Sequence, residues 1–223
     1  MSKRGKRGLV STIFTIICCV VFVGVYTYGY FQDKKLLEEC EKYDLNGQNA
    51  IDVINSSERV EVVKKTTSLR RTYYIFVEDK LIATVTGKII HPLGDTFTMK
   101  DLEGNEIISE KEHIQLTSVT KSATVSDGTK VKQDVFKDFA RRFKYHLLDK
   151  DNNEYAYTDG NIFGVPAQVF VYNSNDEKIF VINGDYEIVN RGYTVVKYQY
   201  SDCSMAKAVL LTTMIDTIRD DTD

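Results

Sequence analysis

Three stretches of eleven residues in this chain align without a gap. Phe97–Ile107 reads FTMKDLEGNEI, Tyr145–Tyr155 reads YHLLDKDNNEY and Val169–Ile179 reads VFVYNSNDEKI. Each has an apolar or aromatic residue at its first, third and eleventh positions and Asp or Asn at its fifth. Such alternation marks a strand with one buried face. Asp101, Asp149 and Asn173 can fold their side chains onto the following backbone and start a turn. Gly104 and Asn152 tolerate positive φ where the chain reverses. The unit is a β-hairpin. Its starts at 97, 145 and 169 are 48 and 24 residues apart. Further steps of 24 reach Tyr73–Lys80, Ser122–Val131 with Asp127-Gly128 at its tip, and the alternating run Tyr193–Tyr200. About six hairpin-length units predict roughly ten to twelve strands, in a barrel or a sandwich.

The chain ends in a different texture. Ser204–Arg219 reads SMAKAVLLTTMIDTIR, and its apolar residues wrap most of the way around a helix. A surface helix would keep a polar face, and this segment is too short to span a bilayer in the ordinary way. Asp202 or Ser204 offers an N-cap, and Arg219 suits the C-terminal end. A helix of this kind behind a many-stranded sheet is expected inside it, filling a lumen that strand side chains alone could not fill. Val209, Leu210, Leu211, Met214 and Ile215 are the expected buried residues.

The N-terminus sets a separate constraint. Leu9–Tyr30 is 22 residues without a charge, preceded by Lys3, Arg4, Lys6 and Arg7. Such a run is long enough for a hydrocarbon core of about 30 Å. The Tyr26, Tyr28, Tyr30 and Phe31 cluster sits where an interfacial belt belongs. A cleaved signal peptide fits less well, because the apolar run is long and no A-x-A-like site follows. A lipoprotein reading fails on Ile17 ahead of Cys18. The expectation is an uncleaved signal-anchor in the cell membrane: 1–8 a basic cytoplasmic tail, 9–30 a transmembrane helix. The four leading bases outweigh Lys34 and Lys35 and place the globular domain outside.

Residues 31–57 read as stalk and linker. Leu36, Leu37, Cys40 and Tyr43 line one side of a short helix, Asn46-Gly47 breaks it, and Ala50–Ile54 suggests a further turn or two. The heptads are too few for a dimerising coiled coil. The domain then runs from 58 to 223, with its central helix at 204–219. Beyond the first eight residues the chain holds 25 basic and 32 acidic side chains. That balance argues against nucleic acid as a partner. Cys40 and Cys203 could pair in an oxidising space, or stand as two thiols.

The segment Gly87–Ile107, GKIIHPLGDTFTMKDLEGNEI, resembles the LURP-one-related pattern, as does YEIVNRGYTVVKYQYSD followed by the apolar helix. LURP-one-related proteins share the tubby C-terminal-like fold with tubby proteins and phospholipid scramblases. The resemblance spans about residues 60–220 and implies a closed barrel of about twelve strands around a C-terminal hydrophobic helix. It differs from scramblases in carrying its membrane helix at the N-terminus and in lacking their Cys- or Pro-rich N-terminal region. It also implies lipid contact, since tubby proteins bind phosphoinositides through basic residues. Arg141, Arg142 and Lys144, after the amphipathic run Val135, Phe136, Phe139 and Phe143, are the candidates for an anionic-lipid contact. A solvated helix face is the simpler reading of them, and a domain outside the cell would not meet phosphoinositides.

No catalytic, cofactor or metal site is legible. His91, His113 and His146 each stand alone, without His or Cys at ligand spacing. Cys203 lies in no nucleophile motif, and no G-x-S-x-G, P-loop or G-x-G-x-x-G occurs. Asp149–Asn153 begins like a calcium loop, but Glu154 and Gly160 stand where such a loop needs Gly and Glu. The expectation is a membrane-tethered, non-enzymatic binding or structural module contacting a lipid or a cell-surface partner. The alternative is a scramblase-like phospholipid-handling protein.

Overall fold

The computed structural model describes residues 3–65, 70–88, 94–115, 120–134, 144–161, 167–186, 191–199 and 203–220. It divides into two units, residues 1–39 and 40–223. The first is one helix, α1 (Lys3–Glu39). Its part from Thr12 is long and apolar enough to cross a membrane, with large side chains such as Phe14, Val20 and Phe22 exposed.

The second unit holds α2 (Ala50–Ser56), twelve strands and a final helix. The strands are β1 (Arg59–Lys64), β2 (Thr72–Val77), β3 (Lys80–Thr86), β4 (Thr96–Asp101), β5 (Glu106–Gln115) and β6 (Thr120–Val125). They continue as β7 (Lys130–Gln133), β8 (Tyr145–Leu148), β9 (Glu154–Asn161), β10 (Ala167–Asn173), β11 (Lys178–Tyr186) and β12 (Arg191–Lys197). Each pairs antiparallel with its neighbours in sequence, and β1 pairs with β12, so the sheet closes into a barrel. Closure leaves no exposed edge along the sheet.

All three aligned segments are hairpins with one turn chemistry. Asp101 Oδ1 accepts the N–H groups of Glu103 and Asn105 at 3.0 and 2.8 Å. Asp149 Oδ1 does the same for Asp151 and Asn153, both at 2.8 Å, and Asn173 Oδ1 for Asn175 and Glu177 at 3.0 and 2.9 Å. The fourth turn residue, Gly104, Asn152 or Asp176, takes positive φ. Each turn is followed by a register shift, so the eleventh residue of the pattern bulges. Such a bulge re-aims the side chain and tightens the twist. The β2–β3 hairpin turns instead on Glu78 and Asp79, at φ 51° and 62°, the two-residue turn that matches strand twist. At φ +145°, Gly160 lies so close to β10 that a Cβ there would sit 2.3 Å from the Gln168 carbonyl oxygen.

Helix α3 (Met205–Asp220) lies inside the barrel's core. Every residue from 205 to 217 is buried except the half-buried Lys207, and all five expected residues are among them. Ser204 Oγ accepts the Lys207 N–H at 3.3 Å and caps the helix start, while Asp202 lies outside the described residues. Buried Thr212 and Thr213 donate back to the carbonyls of Ala208 and Leu210, so their hydroxyls need no outside partner, while the Thr217 hydroxyl lies between the Met214 carbonyl and Glu112 of β5.

The compact unit begins at Cys40, ahead of the boundary at 58 expected from the sequence. Residues 40–57 are integral to it. Tyr43 N–H donates to the Leu81 carbonyl and Leu81 N–H to the Glu41 carbonyl, both at 2.8 Å. Ala50, Val53 and Ile54 of α2 join the same apolar core as α3. Asn55 accepts the Ala206 N–H at 3.0 Å, tying α2 to the start of α3.

Candidate functional site

Because α3 fills the interior, groups open to a partner stand on the outer face. Side chains alternate across each strand, and register decides which of them meet. Ser122 pairs with Lys132, Lys132 with His146, His146 with Tyr157, Tyr157 with Tyr172 and Tyr172 with Lys178. These six form one lateral row from β6 to β11.

The left part of the row opens into a groove of about 670 Å³ over β6–β9. At its floor the two ring nitrogens of His146 face Glu154, through Nδ1, and Asp134, 3.2 Å from Nε2. Each ring nitrogen thus has one carboxylate beside it. Lys130 donates to Asn152 Oδ1 at 2.6 Å. Lys132, Ser122 and Thr124 line the groove with no partner among the described residues. One ammonium and two hydroxyls suit an anionic oxygen ligand.

The right part of the row is sheathed. Lys144 Nζ sits 4.1 Å from the centre of the Tyr157 ring, and Tyr157 stacks on Tyr172 with centroids 5.4 Å apart. Lys178 covers Phe170 at 3.8 Å. These cation–π contacts leave little ring face open. Tyr157 donates to Asp176 at 2.7 Å, and that bond, with lesser help from burial, pushes its phenol up to about 12.

Of the three expected lipid contacts, Lys144 is at the edge of this row, while Arg141 and Arg142 lie outside the described residues, as does the amphipathic run before them. His91 lies outside them too, and His113 is exposed on β5. His146 does not stand alone: strand pairing brings it two carboxylates. The signal was its place one turn away from Glu154. The Asp149 carboxylate is consumed by its own turn, and the Asn153 side-chain bond first of all holds it below the usual range. Among the described residues no group of His, Cys, Asp or Glu is placed to hold a metal. Neither Cys40 nor Cys203 is in a disulfide, and burial pushes the Cys203 thiol up to about 12. A thiol so raised is a poor nucleophile.

A second set of polar groups, missed by the sequence reading, lies inside. Asp216 of α3 is fully buried. It accepts from Tyr73 at 2.8 Å and from Tyr193 at 2.6 Å, and Lys64 Nζ lies 2.7 Å away. Asp95, Glu110 and Glu112 are buried as well. The one sequence signal was an acid, Asp216, among the apolar residues of the final helix.

No family model matches the sequence, and a search of curated proteins finds no match. Among solved structures, the X-ray structure of a protein from Arabidopsis thaliana covers 78% of this chain and 99% of its own, at a TM-score of 0.46 and 11% identity.

Proposed function

We propose that this chain is a membrane-tethered, non-catalytic binding module that holds an anionic lipid headgroup on its outer wall. The groove over β6–β9 carries the reading, because Lys132, Ser122 and Thr124 line it together and have no partner among the described residues. In sequence, Arg141, Arg142 and Lys144 run directly into β8, which supplies His146 to the same groove. The helix-filled lumen also supports a surface site, since α3 leaves the interior to the protein's own side chains. The turn motifs within Gly87–Ile107 and the final helix support a tubby-like barrel. A headgroup at Lys132 makes charge-assisted hydrogen bonds, so Lys132→Glu should weaken binding of short-chain phosphatidylserine by about tenfold or more. Titration of the full chain in detergent, followed by calorimetry, measures this. Equal affinity in the variant would remove the groove from the proposal. Lipid flipping by reconstituted protein above the rate of empty vesicles would favour the scramblase-like alternative.

The proposed topology places α1 in the cell membrane, residues 1–8 in the cytosol and the barrel outside. Cys203 cannot report on this, being buried. Ser174, exposed on the turn between β10 and β11, can. Ser174→Cys should react with a membrane-impermeant maleimide in intact cells. Labelling only after lysis would reverse the orientation.

A further inference from the structure

Glu110 stands on β5 and is 1% exposed. Neither of its carboxyl oxygens has a hydrogen-bond partner. Its neighbours across the sheet are Phe97 on β4 and Val125 on β6, both buried and apolar. Among the described residues no base pairs with it. Lys64 is held by Asp216 at 2.7 Å, and Arg71 lies 3.9 Å from Asp95. The charges acting on Glu110, those of Glu112 and Asp95, share its sign. The buried Tyr145 hydroxyl and Asp95 Oδ2 also lack hydrogen-bond partners. Glu112, the next inward position along β5, accepts from Thr217 of α3 at 3.3 Å. The last turns of α3 thus meet β5 at Glu112, two residues along the strand from Glu110.

An ionised carboxylate here would be desolvated, unpaired and repelled by two others. A neutral carboxyl removes the repulsion and lowers the desolvation cost from that of an ion to that of a polar group. We propose that Glu110 binds a proton in the folded barrel, and that this proton fastens the C-terminal half of α3 inside, so that this part of the barrel opens when the proton leaves. Among the described residues, the other titratable groups near it are Tyr145 from β8, Tyr73 from β2, Tyr193 from β12, Asp216 from α3, Lys64 from β1 and Arg71 just before β2. Among these, Lys64 is paired with Asp216 at 2.7 Å and Arg71 lies 3.9 Å from Asp95.

Burial, then Glu112, then Asp95 push the Glu110 carboxyl well above its ordinary range. The folded chain therefore binds this proton more tightly than the unfolded chain does. The unfolded carboxyl loses its proton first as pH rises, so stability is greatest below the ordinary carboxylate range. It falls through that range until the folded carboxyl itself ionises.

Thermal melting of the full chain in detergent, from about pH 5 to about pH 9, tests this against Glu110→Gln and Glu112→Gln. The wild type should lose stability toward alkaline pH. Glu110→Gln, with a neutral amide, should lose that slope and melt a few degrees higher at the alkaline end. Glu112→Gln should relieve part of the slope, since it removes one repelling charge. In the wild type, α3 amides at 209–217 should exchange faster with rising pH than intrinsic exchange alone explains, and in Glu110→Gln they should not. Parallel melting profiles for wild type and Glu110→Gln would overturn the proposal. If Glu110→Gln does not fold, infrared spectra of the wild type with isotope-labelled glutamate decide. A protonated-carboxyl band at neutral pH that vanishes on unfolding supports the proposal, and its absence overturns it.

Discussion

Leu211→Asp is expected to leave the barrel unfolded. Leu211 is 1% exposed, in the stretch of α3 surrounded by the core residues of the barrel. A carboxylate in that position would be enclosed by the apolar core. Its burial costs about 5 kcal/mol or more. A domain of this size has about 5–15 kcal/mol in total. Leu211→Ala, which removes only packing, should cost about 2–5 kcal/mol and still fold. Circular dichroism melting of the full chain in detergent separates the three proteins. A Leu211→Asp variant that melts cooperatively at the wild-type temperature would mean that α3 is not the core of this domain.

Asp216→Ala should be the most damaging change at a polar position. It removes the acceptor of two tyrosine hydroxyls and the carboxylate 2.7 Å from Lys64. The Lys64 side chain is 16% exposed, so water makes good little of that loss. Removing one partner of a buried pair costs about 3–5 kcal/mol. The damage comes from what is left behind, so combining Lys64→Met with Asp216→Ala should recover part of it. Melting of the two single variants and the double variant gives the coupling between the residues. Additive losses would show that Lys64 and Asp216 do not depend on each other.

The hairpins were legible because their chemistry is local. Asp101, Asp149 and Asn173 bond to backbone groups two and four residues ahead, so the pattern that makes each turn sits in one short stretch. The burial of α3 was legible for a similar reason: a helix without a polar face has to be enclosed. The start of the unit was harder to see. Ala50, Val53 and Ile54 have helical spacing, but nothing in residues 40–57 says what they pack on, and only the finished core supplies α3.

The polar groups that matter most were decided by the tertiary structure. Asp216 takes its hydrogen bonds from Tyr73, 143 residues away, and Tyr193, 23 away. His146 meets Asp134 across β7 and β8, which are adjacent only once the sheet has formed. The row from Ser122 through Lys132 and His146 to Tyr157 is a product of strand register, and a slip of one residue would turn each of these side chains to the other face. Period and turn chemistry act within a few residues and can be read along the chain. Register and closure depend on all twelve strands packing around α3 together, and no segment carries that information alone.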